Sequence, residues 1–345
     1  TEDWYFCSHR LPIARAARDA GFEVIVATRV NAHAGCITQE GFRLIPLTIR
    51  RRGKNRIREL VAILQIINIY RREHPDIVHH VALKPVLYGA LAARIAGVPV
   101  VVNALAGLGY VFSSGQSRAR ILKRFVRMAF RALLNRKNSM VFLQNPDDQQ
   151  MLIGSKAILP ERTALIRGSG VDTKRFKPSA EPGDRTVVVT LVGRMLLDKG
   201  VVEFVEASRL LRQRGIHFRA VLVGIPDSEN PTSIPASQLE MWQDEGLIEW
   251  WGQRDDIPTV WAHSHIAVLP SYREGVPMSL IEAAACGRPI IATDVPGCRE
   301  IVEHEKNGLL VPVKDPKALA DAICRLINNP GLRSQMGQES RKLVE

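Results

Sequence analysis

The sequence predicts an α/β protein made of two Rossmann-like domains that face each other across a cleft. Three observations predict it. Apolar runs of strand length alternate with helical runs along nearly the whole chain. The length, 345 residues, suits two domains better than one. A stretch rich in Pro, Gly and charge, FKPSAEPGDR at 176–185, separates two such series. Alternating strands and helices give parallel, doubly wound sheets. The expected domains are therefore 1–175 and 176–345.

In the first domain, TEDWYFCSHR (1–10) reads as a loop, and LPIARAARDAG as the helix that leads to the strand FEVIVAT (22–28). FRLIPLT (42–48) is the next strand, followed by the helix IRELVAILQIINIYRREH. DIVHHVA, the helix PVLYGALAARIAG, the strand PVVVNAL and a long basic helix come next. SMVFLQN and RTALIRG are the last strands. The chain opens on a loop and stops inside a helical pattern, RKLVE, so both ends read as cut. A first strand is expected before Thr1, and a last helix after Glu345.

The second domain reads more plainly. TVVVTLVG (186–193) is a buried strand, VVEFVEASRLLRQRG (201–215) an amphipathic helix, and FRAVLVG (218–224) a strand. LIEWWG (247–252), IAVLPS (266–271), PIIATD (289–294) and GLLVPV (308–313) are further strands. IPTVWAHS, residues 277–286 and the region of Arg299–Glu303 are helices, and a last one runs from Pro316 to Asn328.

Composition removes several function classes. No apolar run is long enough to cross a bilayer as a helix. The cysteines Cys7, Cys36, Cys286, Cys298 and Cys324 have neither metal-ligand nor disulfide-framework spacing, as expected of a reduced cytoplasmic protein. The net charge of +12 is one-sided: residues 1–172 carry +14 and residues 173–345 carry −2. A basic field confined to one domain calls for an anionic partner there.

Ligands of open α/β sheets sit beyond the carboxyl ends of the strands. Three second-domain loops leave from there. In VGRMLLDKG (192–200), Gly193 ends a strand, and Arg194 and Lys199 flank a turn that feeds a helix, an arrangement suited to a diphosphate. In SYREGVPMSLIEAAACG (271–287), Gly275 allows close backbone approach and Pro277 opens the helix at its first position. The amides from Val276 to Leu280, Met278 among them, then point forward. Glu274 lies at the helix mouth, and Glu282 sits inside a helix otherwise made of Met, Ser, Leu, Ile and Ala, where a carboxylate needs a partner. In DVPGCREIV (294–302), Pro296 and Gly297 form a turn and Glu300 starts a short helix.

Taken in order, VGRMLLDKG … SYREGVPMSLIEAAACGRPIIATDVPGCREIVEHEKNGLLV resembles the donor half of the retaining glycosyltransferases of family 4, which have the GT-B fold. The two glutamates seven residues apart are that family's signature. The resemblance implies that Arg194 and Lys199 hold the diphosphate of a nucleotide sugar. Glu274, with the backbone of Gly275, Val276, Pro277 and Met278, would hold the transferred sugar, and Glu282 the ribose. It implies no cofactor and no metal. The chain has no Asp-x-Asp triplet, in keeping with that.

The first domain then takes the acceptor. His79, His80 and Lys84, in DIVHHVALKPVLYG, are its candidate catalytic residues. The family often has His-x-His there, and this chain departs from it by placing Val81 at the second position. The Gly-rich VNALAGLGYVFSSG (102–115) and the aromatics of TEDWYF are candidate acceptor contacts.

The basic helix SRARILKRFVRMAFRALLNRKN (117–138) indicates the class of acceptor. Residues 118–137 hold eight basic groups and no acid. On a wheel of about 100° per residue, Phe125, Val126, Ala129 and Leu133 cluster near Leu122, and Arg120, Lys123, Arg124, Arg127 and Arg131 lie opposite. With RRRGKNRIR (50–58), that face suits an anionic membrane surface. No nucleic-acid motif is present.

The expected activity is transfer of a sugar, an N-acetylhexosamine, from a UDP-sugar to a polyprenyl-diphosphate-linked glycan at the inner face of the plasma membrane. HHVALKPVLYG, NALAGLGYVF and ENPTSIPASQLEMW resemble bacterial enzymes that extend undecaprenyl-diphosphate sugars, such as N-acetylgalactosaminyltransferases. The alternatives are an enzyme of the same fold with a soluble acceptor, and a basic binding module for anionic surfaces or nucleic acid.

Overall fold

The computed structural model describes residues 2–49, 55–105, 107, 117–183 and 186–345. They divide into two compact units, Thr1–Ser169 and Gly170–Glu345.

The first unit starts with α1 (Asp3–His9) and α2 (Leu11–Asp19). The expectation of a loop at 1–10 is corrected: Asp3 is buried and its carboxylate accepts the N–H groups of Trp4, Asn31 and His33. That anchor fixes the first turn of a helix along which Tyr5 and His9 stack at 4.2 Å. Next come β1 (Ile25–Thr28), α3 (Ala34–Gln39) and β2 (Arg43–Pro46), with β1 and β2 parallel. The long α4 (Arg56–Glu73) is capped by the Asn55 side chain, which accepts from the amides of Ile57 and Arg58. It leads to β3 (Ile77–Val81), α5 (Leu83–Ala96), β4 (Val100–Leu105), α6 (Ser117–Leu133), β5 (Ser139–Leu143), α7 (Pro146–Gly154) and β6 (Thr163–Leu165). β3, β4, β5 and β6 form one parallel sheet in that order.

The inward seam of α6 differs from the sequence expectation. Val126, Phe130 and Leu134 are the buried positions, whereas Phe125 is 63% exposed. The seam is set by a four-residue step onto Leu105, Val141 and Leu143, not by the wheel centred on Leu122.

The second unit is a six-stranded parallel sheet in the order β12-β11-β10-β7-β8-β9. Its elements are β7 (Val188–Val192), α8 (Val201–Gln213), β8 (Arg219–Val223), α9 (Ala236–Asp244), β9 (Glu249–Trp250), α10 (Ile257–Ala262), β10 (Ile266–Leu269) and α11 (Met278–Ala285). They are followed by β11 (Ile290–Thr293), α12 (Pro296–Arg299), β12 (Gly308–Val311), α13 (Pro316–Ile327) and α14 (Pro330–Val344). Both sheet faces are covered, so its strands read as continuous apolar runs. Val189, Leu191, Leu222 and Val268 pack beneath Phe204, Val205 and Leu211 of α8. Ala267, Leu269 and Ala292 pack on the other face against Leu280 and Ile281 of α11. Each wholly buried Leu or Ile contributes about 1.5–3 kcal/mol.

The stretch from Phe176 to Glu181 belongs to this unit. Arg288, 2% exposed, donates to the carbonyls of Ser179 and Ala180. Arg333 pairs with Glu181, and Arg341 donates to the carbonyls of Phe176 and Ala285. Among the described residues, no helix is long and apolar enough to cross a membrane.

Candidate functional site

At the carboxyl end of β7 the chain passes Gly193 and Arg194 and closes a single 3-10 turn, Leu197–Lys199, before α8. Gly200 ends that turn at φ 71°. A Cβ there would lie 2.1 Å from the Pro270 carbonyl oxygen, so only glycine lets this turn meet the end of β10. The contact brings the first two motifs together: Lys199 Nζ donates to Glu274 Oε1 at 2.5 Å. Both side chains are largely buried, at 21% and 10% exposure. Tyr272 N–H donates to the Asp198 carbonyl and locks the same junction.

The third motif joins through another close approach. A Cβ on Gly297 of α12 would lie 1.9 Å from the Gly275 carbonyl oxygen, so the Pro296–Gly297 turn seats directly on the loop that carries Glu274. Glu300 is the C-cap of α12 rather than the start of a helix, because Pro296 sets the first turn four residues earlier. Behind the loop, Cys298 is fully buried, and burial together with the Glu274 charge holds its thiol protonated.

Pro277 is the N-cap of α11 and not its first helical residue. Its backbone is extended (ψ 118°), and its carbonyl accepts from Leu280 and Ile281. The Leu280 amide, expected to face forward, is spent on that turn. Among the described residues none accepts from the amides of Met278 or Ser279, which stay at the positive end of the helix. Glu282 lies on the same helix, partly buried, and its carboxylate has no hydrogen-bond partner among the described residues. Burial pushes it up to about 7, against the pull of the Arg175 charge. Such a carboxyl, an acceptor when ionised, suits a ligand that brings hydroxyl donors.

Four residues of this cluster were not singled out from the sequence. Asp227, in the loop after β8, accepts from Arg194 at 2.6 Å. Tyr272 donates its phenol proton to Glu203 Oε1 at 2.5 Å, and Lys314 lies 4.7 Å above its ring. The other Glu203 oxygen is buried without a hydrogen-bond partner among the described residues. Asp227 lies in the turn-rich IPDSENPTS, where any acid reads as solvated; the pairing of Leu196 with Ser233, with the Met195 and Leu197 amides donating to the carbonyls of Ile225 and Thr232, brings that loop to Arg194.

The first-domain candidates sit differently. His79 and His80 alternate on β3, so the first is exposed and the second buried. His80 Nε2 bonds the Tyr70 hydroxyl at 2.8 Å and Nδ1 bonds Asn103 Oδ1 at 2.9 Å. Asn103 in turn donates to Ser139. Burial pushes His80 down to about 4, and both ring nitrogens are taken. His80 is thereby part of the unit's interior. Lys84 donates to Glu59 of α4 at 2.7 Å, and Tyr88 donates to the other Glu59 oxygen. Between them Ala82 holds φ 76° and ψ 159°, a conformation rare outside glycine. These residues belong to the first unit and the glutamate loops to the second.

On α6, Arg124, Arg127 and Arg131 are exposed. The side chains of Arg120 and Lys123, and residues 50–54, 106 and 108–116 of the other motifs, lie outside the described residues.

Residues 186–329 match the family described as glycosyl transferases group 1, and residues 1–145 match glycosyl transferase 4-like. The chain is 26% identical over 343 residues to the N,N'-diacetylbacillosaminyl-diphospho-undecaprenol alpha-1,3-N-acetylgalactosaminyltransferase of Campylobacter jejuni, covering 96% of this chain and 89% of that protein. It is also 26% identical to a UDP-Gal:alpha-D-GlcNAc-diphosphoundecaprenol alpha-1,3-galactosyltransferase of Escherichia coli, covering 84% and 76%. Among solved structures, Anabaena HepE in complex with UDP superposes with a TM-score of 0.76 at 21% identity, covering 97% of this chain and 90% of that one. Sucrose-phosphate synthase from Thermosynechococcus elongatus gives 0.78 at 24% identity, covering 96% and 86%. The fold is GT-B, as the motifs implied.

Proposed function

This chain belongs to the family 4-like glycosyltransferases, and on that premise we propose that it moves an N-acetylhexosamine from a UDP-sugar to a polyprenyl-diphosphate-linked glycan. The observation that carries the proposal is the Lys199–Glu274 pair at the mouth of α11, with the unpartnered carboxylate of Glu282 on the same helix.

In this reading Lys199 and Arg194 turn from Glu274 and Asp227 to the diphosphate, whose two charges outbid single carboxylates. The amides of Met278 and Ser279 add positive charge as the diphosphate leaves. With that charge supplied by the chain, the reaction is proposed to need neither metal nor cofactor. Glu274 accepts from hydroxyls of the transferred sugar, and Glu282 from the ribose diol. The sugar keeps its anomeric configuration through attack on the face from which the diphosphate departs, and the departing oxygen takes the acceptor proton. His79 is the other of the two adjacent candidate histidines, on the strand face opposite His80, and burial of its ring pushes it down to about 4. Its role, and that of Lys84, is proposed as contact with the acceptor. The undecaprenyl-linked substrates named for the two curated relatives, and the basic charge of residues 1–172, support a lipid-linked acceptor on the inner face of the plasma membrane.

Turnover of a UDP-sugar panel with polyprenyl-diphosphate sugars tests the proposal. Product is expected with a UDP-N-acetylhexosamine, and its loss in Glu274→Ala and Glu282→Ala. Absence of UDP binding in the intact chain would sink it, and faster turnover on soluble sugar phosphates than on polyprenyl-linked sugars would move the acceptor to the soluble class.

A further inference from the structure

Helix α4 has two apolar faces, and only one is covered. Ile66 and Ile67 pack against Ala92 of α5, and Ala62 is buried as well. On the other side Ile57, Leu60, Val61 and Leu64 are 73%, 57%, 51% and 54% exposed. Their spacing lines them along one stripe over successive turns. Aliphatic side chains scattered singly on a surface need no explanation, but a continuous stripe marks something that covers it.

The setting of the stripe says what. Arg58 beside it and Arg71, two heptads beyond Ile57, are exposed. The sequence before the helix adds Arg50, Arg51, Arg52 and Lys54. From 50 to 72 the one acid is Glu59, and it is turned inward to Lys84 and Tyr88. Cations at a helix N-terminus oppose the helix dipole, so the fold gains nothing from them there, while an external anion does.

A second helix continues the surface. The right-handed crossovers β3–α5–β4 and β4–α6–β5 put α5 and α6 on one side of the sheet, and α4 packs on α5. The outer faces of α4 and α6 therefore look out from the same side. On α6, Phe125 and Met128 are 63% and 58% exposed among Arg124, Arg127 and Arg131.

We propose that the α4 stripe, with Phe125 and Met128, is a membrane-docking face whose apolar side chains enter the boundary of an anionic bilayer while the arginines stay at phosphate level. A second copy of the chain would bring the same positive charge against itself, and a bilayer rich in anionic headgroups brings the opposite. The inference rests on the lipid-linked-acceptor reading for its purpose and on these exposures for its evidence.

Flotation of the full chain with phosphatidylglycerol-containing vesicles, against all-phosphatidylcholine vesicles, tests it. The chain should float with the anionic vesicles and keep part of that binding at about 1 M salt, where exposed charges are screened within about 3 Å. Leu60→Gln/Leu64→Gln should lose the salt-resistant part, with partitioning weakened roughly tenfold or more, the scale of one leucine leaving an apolar medium. Arg124→Gln/Arg127→Gln/Arg131→Gln should lose chiefly the salt-sensitive part. Turnover on a short-chain, water-soluble acceptor should be unchanged in Leu60→Gln/Leu64→Gln. Unchanged flotation of that variant overturns the proposal. So does a dimer of the wild-type chain that the same variant converts to monomer while vesicle binding persists. If the chain floats as expected but turns over no UDP-sugar, the docking face stands and the transferase reading falls.

Discussion

Lys199 Nζ lies 2.5 Å from Glu274 Oε1, and this side-chain hydrogen bond, beside the backbone bond from Tyr272 to Asp198, joins the turn after β7 to the loop after β10. Each residue thereby sets the position of the other, so their losses should not add. Lys199→Ala and Glu274→Ala are each expected to lower kcat about 100-fold or more, and the double variant little further. Stability should behave in the opposite sense. Lys199→Ala leaves a nearly buried carboxylate uncompensated and should cost about 1–3 kcal/mol in urea unfolding, part of which the double variant recovers. Equal unfolding midpoints for the two would refute the coupling.

Glu282 trades stability for a vacant acceptor. Its carboxyl is raised from 4.5 to about 7 by burial, so between those values the folded chain keeps a proton that the unfolded chain has released. Stability from this group is full below pH 4.5 and declines as pH rises toward 7. Glu282→Gln removes that decline and should stabilise the chain at neutral pH by roughly 1–3 kcal/mol while weakening UDP binding. Differential scanning calorimetry and UDP titration on one preparation would check both signs, and a Tm below that of wild type would contradict the assignment.

Gly297 is not held in a left-handed conformation; what it needs is space, since a Cβ would meet the Gly275 carbonyl oxygen at 1.9 Å. Gly297→Ala must therefore push the Glu274 loop away. A displacement of this kind costs on the order of 1–3 kcal/mol in packing, and kcat/KM should fall more than stability alone accounts for. Full activity at a temperature where the variant is wholly folded would show that the loop yields without consequence.

His80 gives the first unit an acid limit. Burial lowers it from 6.5 to about 4, so as pH falls through that window the unfolded chain takes up a proton that the folded chain refuses. Its contribution is full above pH 6.5 and is lost toward pH 4, opposite in sense to that of Glu282. His80→Gln should flatten the acid limb of urea midpoints between those pH values and leave kcat on the acceptor within a few-fold, since no ring nitrogen is available to substrate. A kcat loss of about 100-fold in a folded His80→Gln would restore the catalytic assignment.

The second unit was readable because its strands are buried on both faces and its loops carry the chemistry within short motifs. Arg194, Lys199, Glu274 and Glu282 come from two stretches whose spacing is local. What the sequence did not disclose is pairing across loops. Asp227 reaches Arg194 only because the 225–234 loop folds back onto the turn after β7, and Tyr272 meets Glu203 and Lys314 from three separate elements. The first unit misled in two places for physical reasons. Buried Asp3 converts an aromatic-rich opening into a helix, and strand alternation turns His80 away from the surface that two adjacent histidines suggest. The exposed stripe of α4 was invisible because its periodicity is that of any core helix; only burial separates the two faces.

The chain of contacts from Tyr70 through His80 and Asn103 to Ser139 crosses α4, β3, β4 and β5. Gly89 belongs to it as well, since a Cβ there would lie 2.3 Å from the His80 ring. A change at any one of these five positions therefore alters what the other four must accommodate. A chimera that imports β3 from a relative without its matching tyrosine, asparagine and glycine would place an orphaned imidazole in a dry interior. Recombination between related enzymes should therefore find its workable crossover points outside residues 70–139.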